Sequence, residues 1–194
     1  MKIAFKICLI KLVLLTVSCG NIPTSDAYKE IDPKIIKQEL RKAEKSLEKE
    51  DIHTTLDITK KYALMGYAKA QFMYGNYIYL RFYVENYGKG MSASIRRQQD
   101  NANATTLKWM TYSAQQGYAP AQYSLSRIHS EGKGVKADPV VGLMWGILST
   151  SKSKDKDRVK DTISEAVYNY KLTAEDITRA KKMASEWKVT KLRT

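Results

Sequence analysis

The chain has 194 residues, with 33 Lys and Arg against 20 Asp and Glu, for a formal net charge of +13. A composition that is 43% hydrophobic and 27% charged belongs to a chain that can build a core, which sets aside a disordered or low-complexity protein. The only cysteines are Cys8 and Cys19, too few and too close to one end for a disulfide scaffold or a thiolate metal site in the body.

Residues 1–18, MKIAFKICLIKLVLLTVS, place Lys2, Lys6 and Lys11 ahead of and within an apolar stretch that ends Leu12 to Val17. The lysines interrupt any run of about 20 apolar residues, so a bilayer span is not expected. A charged start and a short apolar core predict a secretory leader instead. Cys19 follows Ser18, Val17 and Leu15 in a pattern that resembles the bacterial lipoprotein box, with Thr16 where that box usually carries Leu. Two outcomes stay open, a lipid on Cys19 or ordinary cleavage near Gly20. The lipoprotein resemblance, with no Asp after Cys19, implies anchoring at the outer membrane. Residues 19–33, with Pro23 and Pro33, then read as a tether, and residues 34–194 as the folded domain.

Helix signals follow in order. Asp32 and Pro33 start a lysine- and glutamate-rich helix. A second runs from Ile52 to Met65 and stops at Gly66; a third runs from Ala68 to about Val84 and carries Tyr74, Tyr77, Tyr79 and Tyr83. The segment from Thr105 to Gln116 is the next helix, ended by Gly117, where a positive φ suits glycine. Pro120 opens another, with Ala121, Tyr123, Leu125 and Ile128 as its packing stripe and with Trp109 and Tyr123 expected to fill the space between the two. Gly132 and Gly134 break it. Asp138 and Pro139 begin a helix through Leu143, Trp145 and Leu148. After the charged connector SKSKDKDRVKD come a helix from about Val159 to Tyr170 and a last one capped by Thr173 and Asp176, with Ile177, Ala180, Met183, Ala184 and Trp187 on one face.

The stretch from Leu107 to Trp145 contains a repeat. Leu107, Trp109 and Ser113 recur as Leu143, Trp145 and Ser149, each at a spacing of 36, which is the period of stacked helical hairpins. The pattern A-x-x-G-x-x-x-A-Q, then G-x-G-V-x-x-D, then W, is carried by Ala114, Gly117, Ala121, Gln122, Gly132, Gly134, Val135, Asp138 and Trp145, and it resembles the Sel-1-like repeat, a relative of the tetratricopeptide repeat. An upstream copy consists of Ala63, Gly66, Ala70 and Gln71, 51 residues earlier, so an insertion of 15 residues is expected, placed at about 85–101. Gly142 and Thr150 stand where the family carries alanine. The resemblance implies an all-α fold, a short right-handed α-solenoid of stacked antiparallel hairpins with capping helices at both ends.

No catalytic pattern accompanies this repeat. His53 and His129 stand alone, the S-x-x-K matches at Ser46 and Ser151 lack companion motifs, and no cofactor or metal is expected. Relatives linked to β-lactam hydrolysis carry cysteines in each repeat, which this chain lacks. Binding is therefore expected to fall to exposed side chains. Tyr79, Tyr83 and Tyr87 cannot all face inward on one helix, although Tyr74 and Tyr77 fit as core. The insertion, read as a loop, brings Lys89, Arg96 and Arg97 beside them. Lys108, Thr111 and Gln115, on the face away from Trp109, are candidates for lining the concave groove. A basic exported chain meets an acidic protein or anionic lipid rather than nucleic acid. The resemblance implies a protein-interaction module of the bacterial envelope, in particular an immunity protein against a periplasm-acting toxin such as a type VI secretion phospholipase; the alternative is an envelope scaffold or host-interaction lipoprotein.

Overall fold

The computed structural model describes residues 31–152 and 157–190. The leader, the Cys19 lipid site and nearly all of the tether lie outside the described residues, as does part of the charged connector. The fold belongs to the second of two units into which the chain divides, Ile31–Thr194. Among the described residues it is all-helical: α1 (Pro33–Glu48), α2 (Ile52–Leu64), α3 (Ala68–Asn86), α4 (Ala93–Gln115), α5 (Ala119–Glu131), α6 (Pro139–Thr150), α7 (Arg158–Tyr170) and α8 (Ala174–Glu186). From α1 to α7 each helix packs on the next, and α6 also packs on α8, the arrangement of a helical repeat array.

Local chemistry sets the helix ends. Asp32 accepts from the Lys34 amide at 2.8 Å, Asp51 from Thr54 at 3.0 Å, and Asp138 from both Val140 and Val141 at 3.1 Å. Each satisfies amides that the first helical turn leaves unpaired. Thr173 and Asp176 form the expected reciprocal capping box on α8. Gly66 and Gly117 both adopt positive φ, +89° and +79°, and turn the chain between the helices of a hairpin.

The repeat motif has a physical reason. Buried Gln71 donates its side-chain amide to the Ala63 carbonyl at 3.3 Å, and Gln122 does the same to Ala114 at 3.3 Å. Each glutamine reaches back across the turn and ties the second helix of its hairpin to the end of the first. Hydroxyls make further ties: Thr55 donates to Ala43, Thr106 to Gly75 and Ser113 to Ala68. Around these ties lie two apolar clusters. The first gathers Ile36, Leu40, Leu56, Tyr62, Met73 and Tyr77, with Trp109 packed against it. The second joins Met110, Leu125, Leu143, Trp145 and Ala180, covered by Ile177, Met183, Ala184 and Trp187 of α8 and its exit. The outward side of α8 is exposed and polar, as an end helix without a neighbour requires.

Two features differ from expectation. The insertion is a helix rather than a loop: α4 begins at Ala93, and only the short turn from Tyr87 to Ser92 is irregular. Ser92 caps it by accepting from the Ile95 amide at 3.2 Å, and neither proline nor glycine interrupts it up to Gln115. Tyr123 does not fill the space between helices; it is 56% exposed, and Trp109 alone packs inward, edge-on to Tyr74 at 5.4 Å. Gly142, already noted in the sequence where the repeat pattern carries alanine, is buried because α5 and α6 touch there: a Cβ would run into the Ser130 Oγ and fall 2.8 Å from the Ser126 carbonyl oxygen.

Candidate functional site

The adjoining helices α3 and α4, one from each hairpin, outgrow their neighbours. Alternate helices run parallel, so α5 follows the direction of α3, and it ends at Glu131, whose charge acts on the Tyr79 phenol. Beyond Tyr79, α3 continues to Asn86, a projection of about 10 Å at the usual rise per residue. On α4, the turn after α5 meets Asn103, since a Cβ on Gly134 would sit 2.8 Å from the Asn103 Cβ. Residues 93–102 therefore extend about 15 Å past that contact. The two projecting ends form an arm, held together where Phe82 and Ala102 are buried.

One face of this arm has no covering element among the described residues. Leu80, Tyr83, Val84 and Tyr87 are 38%, 45%, 63% and 92% exposed, rising steadily toward the tip, and Met91 in the turn is 57% exposed. The spacing of i, i+3 and i+4 puts Leu80, Tyr83 and Val84 on a single stripe of α3, and Tyr87 follows directly past its end. Isolated apolar residues on a surface are ordinary, whereas here five cluster at one projecting end. Tyr79 and Tyr83 are tied to each other. Tyr79 donates its hydroxyl to that of Tyr83 at 2.9 Å, with ring centroids 4.6 Å apart, and Phe82 stacks edge-on to Tyr83 at 5.4 Å. Burial, followed by the hydrogen bond with Tyr83, pushes the Tyr79 phenol up to about 12, so it remains a neutral donor at physiological pH.

The arm carries Arg81, Lys89, Arg96 and Arg97 with Glu85 and Asp100, so it is net basic but of both signs. Arg81 pairs with Glu85 at 3.7 Å, and Lys89 donates to the Glu85 carbonyl. Arg96 and Arg97 are exposed and have no ion pair among the described residues. Two grooves beside the helices likewise carry both signs. A groove of ≈ 420 Å³ between α2, α3 and α4 sets Asp57 and Glu85 against Lys60 and Arg81, and one of ≈ 800 Å³ between α5, α6 and α7 sets Asp161 and Glu165 against Arg127 and Arg158. Neither groove selects a ligand by its charge.

The structure thus brings Tyr79, Tyr83, Tyr87, Arg96 and Arg97 to one arm, with Tyr79 half-buried at its base. It does not join Lys108, Thr111 and Gln115 to them. Those three are half-buried rather than open: Thr111 donates to the Leu107 carbonyl at 2.8 Å, and Lys108 lies 5.9 Å from the Tyr112 ring centroid. The Gln115 carbonyl accepts from the Thr190 amide at 2.8 Å, and Val189 would meet a Cβ on Gly117 at 3.3 Å. Residues leaving α8 therefore cover that end of the first-helix face. Leu80, Val84 and Met91 were missed as surface residues, although the i, i+3, i+4 spacing from Leu80 to Val84 was there to be read. No protein-family model matches the chain, and no curated protein matches it. Among the described residues no group of three or more His, Cys, Asp or Glu is placed to hold a metal ion, and no helix is long and apolar enough to cross a membrane.

Proposed function

We propose that this protein is a non-catalytic interaction module whose α3–α4 arm docks another protein. The observation that carries the reading is the exposed apolar run from Leu80 to Tyr87, on a projecting pair of helices that also carries the exposed Arg96 and Arg97. Rigid aromatic side chains beside arginine are the combination that dominates binding energy at protein interfaces. A helical array supports such a surface because its interior is satisfied internally: no buried side-chain nitrogen or oxygen among the described residues lacks a partner.

The specific form of this proposal is an immunity protein of the bacterial envelope, exported by the leader, anchored through Cys19 and binding a toxin that acts in the periplasm. The leader pattern, the repeat resemblance and the basic balance of the chain support it. An envelope scaffold is favoured by a different observation, two mixed-charge grooves, one along α2, α3 and α4 and one between α5, α6 and α7, which offer room for additional partners. Affinity capture of the full chain from its native cells separates the two. One stoichiometric partner with a hydrolase sequence, whose toxicity is suppressed by co-expression of this chain, is the immunity result. Recovery of several envelope-assembly proteins is the scaffold result, and absence of any bound protein would reject the module itself.

A further inference from the structure

We propose that the end of the first-helix face beside Gln115 and Gly117 is a subsite for an extended peptide, and that residues 188–190 of this chain close it as a tethered ligand. An extended segment of another protein reaches the subsite by lifting them. The subsite lies at the opposite end of α4 from the arm.

Past Glu186 the chain leaves α8 in an extended conformation, with Trp187 at φ −71° and ψ 139°. Trp187 is the anchor: its ring meets that of Trp145 at 6.1 Å and packs against the second apolar cluster. The three residues beyond it are exposed, and Val189 keeps 44% of its surface. Two contacts hold them. The Thr190 amide donates at 2.8 Å to the Gln115 carbonyl, one of the acceptors that the last turn of α4 leaves without a partner inside the helix. Val189 lies over Gly117, where a Cβ would meet the valine methyl at 3.3 Å, the Lys152 Nζ at 3.6 Å and the Trp187 ring at 4.0 Å. Gly117 has no side chain, so the floor of this spot is backbone. The fit therefore asks little of a ligand: a main-chain amide for the Gln115 carbonyl and, one residue earlier, a β-branched side chain over Gly117. An extended segment of another protein offers both. A firmly anchored base with a weakly held end opens locally while the array stays folded. The tether sets the threshold, because a segment joined by so short a linker competes at an effective concentration of roughly millimolar. A partner displaces it by adding contacts along the first-helix face.

The test compares the full chain with a full-length variant carrying Val189→Lys and Thr190→Pro, which sets like charge beside Lys152 and removes the amide donor. Both positions are exposed and follow α8, so amide protection within α8 should be unchanged in the variant. In the parent, exchange of the Thr190 amide should be slowed yet insensitive to low concentrations of denaturant, the mark of local opening, whereas amides around Ala180 respond to denaturant. The probe for the subsite is a synthetic peptide with the sequence of residues 188–194, KVTKLRT. It should shift the amide resonances of Gln115 to Tyr118 in the variant with a dissociation constant below about 1 mM, and bind the parent at least about tenfold more weakly. The same peptide with proline in place of its first threonine should bind neither. The proposal is overturned if Thr190 exchanges only when α8 does, or if the variant loses α8 protection, since the segment is then a fixed part of the cap. It is equally overturned by a variant that binds no peptide, by a parent that binds it as well as the variant does, or by sedimentation showing a dimer that exchanges these residues between copies. None of these results bears on the arm, whose docking is read separately.

Discussion

At the scale of single residues, the repeat motif is a set of packing and hydrogen-bonding demands. Ala-Gln in the motif was visible as Ala70-Gln71 and Ala121-Gln122, but the sequence does not say what the glutamine touches. Its partner is a carbonyl eight residues back, and Gln71 also accepts from Gln116 at 2.7 Å, linking the first hairpin to the second. Gln71→Met keeps the volume and removes both bonds, so it should cost about 1–3 kcal/mol in denaturant unfolding, the range for a buried hydrogen-bonding loss. Gly142→Ala sets two effects against each other. Alanine is favoured in a helix by about 1 kcal/mol, yet its Cβ would stand 2.8 Å from the Ser126 carbonyl oxygen, and overpacking of this kind costs about 1–3 kcal/mol. Because the neighbour is backbone, the second effect should win and the melting temperature should fall. His129 gives a pH signature. Burial lowers its pKa below the ordinary 6.5, with Asp138 opposing, so the unfolded chain binds the proton more readily. Stability should be fully present above pH about 6.5 and decline as the pH falls below it. His129→Gln should flatten the upper part of that decline, before carboxylates begin to titrate.

Among the elements, caps and breakers were legible and the arm was not. Asp32, Asp138 and Thr173 begin their helices as read, and Gly66 and Gly117 turn between them, while the Asp51 cap of α2 was not read. The insertion reads as a loop because its apolar content is thin: between Ala93 and Ala104 only Ile95 and three alanines are apolar, which gives no helical stripe. Its helix is instead supported by α3 alongside, with Phe82 and Ala102 buried between them, and by the Ser92 cap. Pairing of this kind overrides weak propensity. Hydrogen exchange checks it directly. Amides from Arg97 to Ala104 should exchange more slowly than those from Gly88 to Met91, and more quickly than those of buried α6, because the arm carries few buried contacts. Uniformly rapid exchange from Gly88 through Ala102 would show that the insertion is a loop after all.

For the whole molecule, the repeat spacing of 36 and its second copy at 51 pointed to the class of fold, an all-helical array of stacked hairpins, because that period cannot close a single globular core. What could not be read was which face stays open. Closure of the face near Gln115 depends on Trp187, Val189 and Thr190 folding back onto residues some 70 positions earlier, a long-range contact that no local pattern announces. The charge of +13 acquires a local meaning at the arm, where Arg96 and Arg97 stand exposed without an ion pair among the described residues. Steering by such a surface is screened within about 10 Å at 0.1 M salt and about 3 Å at 1 M. Association with the partner should therefore slow by on the order of tenfold between low and high salt, with dissociation changing much less; stopped-flow mixing across that range measures both.

The most direct measurement is a paired capture from native cells, using the full chain and the same chain carrying Tyr87→Ala, Arg96→Glu and Arg97→Glu. An arm-docking module retains one stoichiometric protein on the first and loses it on the second, while both proteins melt at the same temperature. Equal recovery on the two would contradict the account, because the partner would then be held by a surface other than the arm.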